Sequence, residues 1–118
     1  MKIGVQIAKE YADDADTFSK KIYDVIGSGV GIIESVPAAI SIAYYTQDPN
    51  ECCLMCANLG GDTDTIGAMA TAICGAFTGY SKINPEYTEL LRVQNSETDF
   101  DEYINILKKG RKLAGCGR

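Results

Sequence analysis

The stretch NLGGDTDTIGAMATAICGAFTG, residues 58–79, determines how the rest of this sequence is interpreted. It contains a glycine pair, then two aspartates and two threonines, and it ends in small and apolar residues. It has no lysine or arginine. Carboxylates this close in sequence repel each other and resist burial. The stretch therefore raises the question of what lies opposite Asp62 and Asp64.

The second half of this stretch predicts a helix over residues 64–80 with one face of small side chains. Small residues recur every four positions, with alanines beside them: Gly67, Thr71, Gly75, Gly79, Ala68, Ala72 and Ala76. An interior glycine costs a helix about 1 kcal/mol relative to alanine, so we expect close packing against neighbouring helices to offset that cost. We therefore predict a central helix, in which Gly75→Leu destabilises the fold severely. The apolar residues expected to fill the core on an adjacent face are Ile66, Met69, Ile73 and Phe77.

Helical spacing also dominates the rest of the chain, and no clear alternating strand pattern is present. The pattern predicts helices within residues 14–27, 34–46, 48–59 and 85–94. Asp48 followed by Pro49 is typical of a helix start. A last amphipathic helix carries Phe100, with Ser96 or Thr98 as its cap. The sequence therefore predicts an all-α fold.

Length, charge and cysteine content limit the class of protein. The chain has 118 residues, 46% of them hydrophobic, and a net charge of −5. A chain of this length, residues 1–118, is one domain or part of one. The acidic balance argues against nucleic-acid binding, which requires a basic face. The sequence shows no signal peptide and no apolar run long enough for a membrane span. Because the five cysteines fit reduced thiols, we expect a cytoplasmic protein.

Asp62, Asp64 and Thr65 form a candidate site for a hard cation. Two carboxylates and a hydroxyl within four residues offer only oxygen ligands, which Mg²⁺ and Mn²⁺ prefer. A bound cation would also remove the repulsion between the two aspartates. The alternative is an ordinary helix start, with Asp62 as the N-cap and Asp64 in the first turn. That alternative leaves the preceding glycine pair unexplained.

Residues 58–79 closely resemble the C-terminal signature of the ADP-ribosylglycohydrolase family. The stretch IGSGVGIIESVPAAISIAYY, residues 26–45, resembles the block that precedes this signature in the family. The resemblance implies an all-α enzyme with a two-metal centre, usually magnesium, that cleaves the N- or O-glycosidic bond between ADP-ribose and an acceptor. It also implies that Asp62, Asp64 and Thr65 are the C-terminal half of the metal ligand set, with Asp64 as the candidate to bridge both ions.

The same resemblance indicates what this chain lacks. Family members are longer, and their N-terminal part supplies a Thr/Ser-Asp-Asp run and an acidic catalytic residue. The stretch YADDADT, residues 11–17, has Ala12 where the hydroxyl residue would stand, so we interpret it as a solvated helix start. We therefore expect the C-terminal portion of the fold, with a missing N-terminal half as its partner. Such a chain would be inactive alone, and none of its residues is assigned as catalytic.

The glycine-rich stretch GSGVG, residues 27–31, is neither a P-loop nor a dinucleotide-binding motif, because no Gly-Lys-Ser/Thr follows and no strand precedes it. It is either a turn between helices or, as the resemblance implies, a loop near the adenosine side of an ADP-ribose pocket. In the second case Gly27, Ser28 and Gly29 contact the substrate. Glu34 is interpreted as a helix-start residue. The alternative function is a non-catalytic helical module that binds ADP-ribose or a partner protein.

Overall fold

The structure, a computed structural model, describes residues 1–115 of the chain, so Cys116 lies outside the described residues. The described residues form helices and no β-strand, which confirms the predicted all-α class. The α-helices are α1 (Lys2–Glu10), α2 (Ala15–Lys21), α3 (Ile32–Thr46), α4 (Pro49–Leu59), α5 (Thr63–Thr78), α6 (Pro85–Gln94) and α7 (Phe100–Leu113). A π-helical turn, Ile22–Ile26, extends α2, and a 3₁₀ turn, Tyr80–Lys82, follows α5. The sequence pattern did not predict α1.

The chain divides into two units, Met1–Asn84 and a second that begins at Pro85. In the first unit α3 contacts α1, α4 and α5. The buried core of this unit consists of Ile7, Ala8, Phe18, Ile22, Ala38, Ala39, Ile42, Ala43, Cys52, Cys56, Leu59, Ile66, Ala70 and Cys74. Burying one large aliphatic or aromatic side chain stabilises a fold by roughly 1.5–3 kcal/mol. Helix α3 is therefore the element around which the first unit is built.

An aromatic pair joins α2 to the end of α3. The ring of Phe18, which is fully buried, stacks on Tyr45 with 3.9 Å between ring centroids. The Tyr45 hydroxyl donates hydrogen bonds to the carbonyl oxygens of Tyr11 and Ala12, each at 3.2 Å. Burial is the main reason that the pKa of Tyr45 is raised. This side chain therefore ties the loop between α1 and α2 to the core helix.

Three of the four thiols of α4 and α5 belong to the core of the first unit. The four described cysteines are free, and Cys52, Cys56 and Cys74 are buried. Hydrogen bonding with Cys56, followed by burial, raises the pKa of the Cys52 thiol far above its ordinary value. A buried thiol with a raised pKa stays protonated and behaves as a small apolar side chain.

The second unit, described up to residue 115, consists of α6 and α7, and none of its described residues is buried. Arg92 forms an ion pair with Asp101 at 3.3 Å, and both side chains are exposed. Such a surface pair contributes at most about 1 kcal/mol. Leu91 and Leu107 are among the large apolar side chains of this unit that are exposed.

Three helices in the described chain begin with an aspartate that caps the helix through its side chain. Asp14 accepts from Thr17 N–H at 3.0 Å, Asp48 accepts from two backbone N–H groups at 2.9 Å, and Asp99 accepts from Glu102 N–H at 3.0 Å. The predicted start of α4 is confirmed. The predicted cap of α7, Ser96 or Thr98, is wrong, because α7 begins at Phe100 and the side chain of the adjacent Asp99 accepts from Glu102 N–H.

Helix α5 is not the central helix that the small-residue pattern predicts. Only Ile66, Ala70 and Cys74 are buried, and they form one row of residues spaced by four. By contrast, an alanine row on another side of the helix and two large apolar residues are exposed: Ala68, Ala72, Ala76, Ile73 and Phe77. A β-carbon at Gly67 would lie 3.4 Å from Cys56 Cβ, so α4 approaches the face of small side chains on α5 at this point. At Gly75, apart from its chain neighbours and the backbone of its own helix, no atom of the described chain lies within 4 Å of a β-carbon.

Gly75→Ala should stabilise the chain. The new methyl group meets no neighbour within 4 Å, and replacing an interior helical glycine by alanine contributes about 1 kcal/mol. We expect the free energy of unfolding from urea titration to rise by about that amount, with a smaller gain for Gly67→Ala, whose methyl group contacts Cys56. This reverses the expectation from sequence for position 75. If Gly75→Leu severely destabilised the chain, this would contradict the finding that there is space for a side chain at position 75.

The Asp14 cap should make stability depend on pH. Hydrogen bonds from the Thr17 hydroxyl and the Thr17 backbone N–H lower the pKa of Asp14 below its ordinary value of 3.8. A carboxyl whose pKa is lower in the folded state contributes stability above its unfolded pKa, and this contribution is lost as the pH falls through the folded pKa. Asp14→Asn should therefore lower the urea midpoint at pH values well above 3.8, and the difference from wild type should shrink as the pH falls below 3.8 and vanish below the lowered pKa of the folded state.

The control for the Asp14 experiment is Thr17→Val, which removes only the hydroxyl that donates to Asp14 Oδ2 at 2.6 Å. In that background the pH-dependent part of the Asp14→Asn effect should shrink, because one of the bonds that stabilise the ionised carboxyl is absent. A difference between wild type and Asp14→Asn that stays constant across the pH range would show that the cap does not titrate as described.

Candidate metal and substrate site

The two loops that the sequence singles out lie side by side in the first unit. The backbone N–H of Asp62 donates to the carbonyl oxygen of Ser28 at 2.7 Å. The predicted substrate loop, residues 27–31, precedes α3, and the predicted metal residues stand at the start of α5. Since α3 and α5 pack against each other, their N-terminal ends bring the two loops together. The structure therefore places both parts of the predicted site at one location.

Gly61 makes this close approach of the loops possible. Its φ of +75° lies in the left-handed region that side chains disfavour. A β-carbon at this position would overlap both the carbonyl oxygen and the hydroxyl oxygen of Ser28. Ser28 itself is 4% exposed. The second residue of the glycine pair is thus required by the contact with Ser28, which answers why a glycine stands directly before Asp62.

Asp62 occupies the N-cap position of α5, but its side chain makes no capping hydrogen bond. This distinguishes Asp62 from Asp14, Asp48 and Asp99, whose side chains all accept from backbone N–H groups at the start of their helices. The interpretation of Asp62 as an ordinary cap is therefore wrong for its side chain, although the position is right. Its carboxylate lies next to that of Asp64 instead.

The carboxyl of Asp64 favours its ionised form. Hydrogen bonding with the Asp62 side chain lowers the pKa of Asp64 below its ordinary value, and the backbone N–H of Thr65, which donates to Asp64 Oδ1 at 2.9 Å, lowers it further. The sequence predicts a raised pKa for at least one of the two aspartates if the site is partly shielded, and the shift of Asp64 has the opposite direction. Its side chain is exposed, so burial contributes little.

The donor atoms at the start of α5 fit a hard cation but do not complete its coordination. Asp62 and Asp64 supply carboxylate oxygens, and Thr65, which is exposed, carries a hydroxyl. Oxygen donors of this kind suit Mg²⁺ or Mn²⁺. Within residues 1–115 no group of three His, Cys, Asp or Glu side chains is arranged to hold a metal ion. Two carboxylates and a hydroxyl leave an octahedral ion with open positions.

The predicted substrate loop is a turn whose own hydrogen bonds use two of its amides. Gly27 N–H donates to the Ile22 carbonyl at 3.0 Å, and Gly29 N–H donates to Glu34 Oε2 at 2.7 Å. A ligand at Gly27 or Gly29 would therefore not find these two amides free. Glu34 lies in the first turn of α3, as predicted, but its side chain reaches back into the loop.

The stretch YADDADT has a structural role as the start of α2. Both Thr17 groups, the N–H and the hydroxyl, donate to the Asp14 carboxylate. The interpretation of this stretch as a helix start is confirmed. None of the helices in the described part of the chain is both long enough and apolar enough to cross a membrane.

Comparison with known families agrees with the signature at residues 58–79. The family profile described as ADP-ribosylglycohydrolase matches residues 3–115. The chain therefore belongs to the ADP-ribosylglycohydrolase family, whose members are in general metal-dependent hydrolases. The matched range begins well before the glycine-rich stretch and includes the α6 and α7 region.

Three relatives illustrate how much of the length of similar proteins this chain matches. It is 47% identical over 113 residues to the uncharacterized protein YegU of Escherichia coli (strain K12). The matched region covers 95% of this chain and 33% of that relative. It is 32% identical over 101 residues to the human ADP-ribosylhydrolase ARH3, covering 76% of this chain and 28% of the relative. It is 30% identical over 91 residues to the ADP-ribosylarginine hydrolase Tri1 of Serratia proteamaculans (strain 568). The matched region covers 77% of this chain and 25% of that relative.

The chain thus spans between a quarter and a third of the length of these relatives. No solved structure was found to match it.

Proposed function

We propose that this chain is the C-terminal portion of an ADP-ribosylglycohydrolase domain, which in its complete form hydrolyses the glycosidic bond between ADP-ribose and an acceptor. In this proposal residues 1–118 form a single partial domain, located in the cytoplasm, that supplies half of a two-Mg²⁺ centre. The relatives named as an ADP-ribosylhydrolase and an ADP-ribosylarginine hydrolase support the substrate class. The acceptor could be arginine, serine or another ADP-ribosylated group.

The observation that carries the proposal is the side chain of Asp62. It stands at a helix start where an aspartate normally accepts from backbone N–H groups, yet it makes no such bond and lies beside Asp64. Two carboxylates held together without a cationic side chain between them are a poor arrangement for stability and a good one for binding a cation. Asp62, Asp64 and Thr65 would hold one side of the metal centre, with Asp64 placed to bridge.

The residues of this chain would bind and orient, while the rest of the domain would supply the acidic catalyst. Bound magnesium would stabilise the negative charge that develops on oxygen and polarise a water molecule. The turn formed by Gly27, Ser28 and Gly29 would border the substrate and, through the Ser28 carbonyl, hold Asp62 in place. Its two occupied amides favour a role in shaping the pocket over direct donation to a phosphate.

An apolar groove between α3 and α5 is the proposed contact for the missing N-terminal half. A cavity of about 280 Å³ is lined by Ile40, Ala43, Tyr44, Gln47, Ile73, Cys74 and Phe77. Phe77 is 74% exposed, although it follows the buried Cys74 by less than a helical turn. The matched region is only 33% of the Escherichia coli relative, so about two thirds of such a domain remains to cover exposed apolar surface of this kind.

A non-catalytic module that binds ADP-ribose or a partner protein is the second candidate. The open coordination at Asp62 and Asp64 and the exposed groove also fit a chain that acts by binding alone. The two candidates differ in their use of metal. A portion of an enzyme needs its aspartates to hold Mg²⁺, whereas a binding module should retain ADP-ribose when both aspartates are replaced by asparagine.

The isolated chain should release no ADP-ribose from ADP-ribosylated protein in excess Mg²⁺. Two-metal catalysis requires both ions and the groups around them, and residues 1–115 offer too few ligands. The assay measures free ADP-ribose released from arginine-linked ADP-ribosylated protein, with the ADP-ribosylarginine hydrolase Tri1 of Serratia proteamaculans as the positive control. Turnover by this chain that disappears in Asp64→Ala would contradict the expectation and would show that the site is complete.

Mn²⁺ should bind weakly at the start of α5. Paramagnetic broadening of backbone amide signals is expected for residues 60–66, where the oxygen donors lie. Asp62→Asn/Asp64→Asn should abolish it. Because the pKa of Asp64 is lowered, its titration should not increase the Mn²⁺ affinity near neutral pH.

The matched control for Mn²⁺ binding is Asp14→Asn/Asp16→Asn, which removes two carboxylates with the same spacing from the start of α2. Asparagine also caps helices, so this control should keep the fold and leave the broadening at residues 60–66 unchanged. Broadening centred on Asp13–Asp16, with residues 60–66 unaffected, would show that the wrong aspartates are assigned to the cation.

A further inference from the structure

The carboxylate of Glu34 fills the inside of the loop formed by residues 27–31. Its Oε2 accepts a hydrogen bond from Gly29 N–H at 2.7 Å. A β-carbon at Gly27 would lie 2.6 Å from Glu34 Cδ, and a β-carbon at Gly29 would overlap Oε2. These two glycines therefore leave open the space that the carboxylate occupies. The loop and the glutamate form one arrangement.

Glu34 does not behave as an ordinary helix-capping glutamate. It is the third residue of α3, and in a capping box a glutamate at that place bonds to the N–H of the N-cap residue, here Gly31. Glu34 instead bonds to the N–H two residues further out. Glu51 holds the equivalent place in α4, where the Asp48 side chain caps the helix. The Glu34 side chain thus stabilises the loop through Gly29 and does not cap the helix end.

The loop that Glu34 holds is the one that binds Asp62. Ser28 lies between Gly27 and Gly29 and is almost fully buried. Its carbonyl oxygen accepts from Asp62 N–H at 2.7 Å. A short path of contacts therefore leads from the Glu34 carboxylate, through the Gly29 amide and the Ser28 carbonyl, to the first aspartate of the candidate cation site.

We propose that Glu34 is a positioning residue, which fixes the Ser28 carbonyl through Gly29 and thereby holds Asp62 where it can share a cation with Asp64. The consequence for cation binding rests on the function proposed above, whereas the structural step does not. Loss of a hydrogen bond to a charged acceptor should raise the equilibrium constant for local opening of the loop by about tenfold. The hydrogen bond between Asp62 N–H and the Ser28 carbonyl should then break more often as well.

Amide hydrogen exchange of the full chain without ligand tests the structural step. Glu34→Ala should speed exchange of Asp62 N–H by about tenfold. Glu34→Gln retains an acceptor oxygen and should give a smaller increase. Glu51→Ala, the matched change at the third residue of α4, should leave Asp62 exchange unchanged. Unchanged exchange in Glu34→Ala would overturn the proposal, and if that variant does not fold, unchanged exchange in Glu34→Gln overturns it.

Mn²⁺ titration tests the consequence for the site. Glu34→Ala should need about tenfold more Mn²⁺ for the same broadening at residues 60–66, with partial recovery in Glu34→Gln. A role in fold stability alone would lower the melting temperature and leave this Mn²⁺ dependence unchanged, which would overturn the proposal. Failure of the wild-type chain to bind Mn²⁺ at residues 60–66 would overturn the proposed function instead, and the exchange result would still decide the role of Glu34.

Discussion

The hydrogen bond from Asp62 N–H to the Ser28 carbonyl is the contact on which the candidate site depends. It joins two loops that are far apart in sequence, and it forms because α3 and α5 pack with their N-terminal ends together. The contact needs a residue without a side chain at position 61, where the backbone has a positive φ. The position of Asp62 in the candidate site therefore depends on this one contact between two loops of the fold.

The aspartates at the helix starts show how one residue type takes two roles. Asp14, Asp48 and Asp99 use their carboxylates to satisfy the free N–H groups of the helices that they begin. Asp62 stands at the same position and makes no such bond. The start of α5 gives up a capping interaction worth about 1 kcal/mol, and it gains a pair of adjacent carboxylates. Such a local loss of stability is common at functional sites.

The exposed side of α5 agrees with the proposal that this chain is part of a larger domain. Its alanine row, Ile73 and Phe77 are exposed, whereas the opposite row of Ile66, Ala70 and Cys74 is buried. An ordinary surface helix would carry polar residues on its outer face. The open coordination at Asp62 and Asp64 and the uncovered apolar residues of α5 both agree with a chain that spans at most a third of its relatives.

The amino-acid sequence alone predicts the helical class, the boundaries of most helices and the identity of the motif residues. Those features follow from local signals, namely apolar spacing, the Asp48–Pro49 start and the signature at residues 58–79. It also indicated correctly that YADDADT begins a helix. It did not predict α1, and it placed the cap of α7 at Ser96 or Thr98 because several capping residues lie within one turn.

Tertiary structure decided the rest, because a sequence pattern identifies the faces of a helix without showing which face is covered. The small-residue ridge predicted a buried α5, yet α3 is the helix at the centre of the first unit, and Gly75 has no neighbour there. The lowered pKa of Asp64 and the reach of Glu34 into the glycine loop arise from residues at most five positions away, through backbone conformations at the starts of α5 and α3 that the residue types alone do not show. The contact between the Asp62 N–H and the Ser28 carbonyl joins residues that are far apart in the chain, so it forms only when the helices pack.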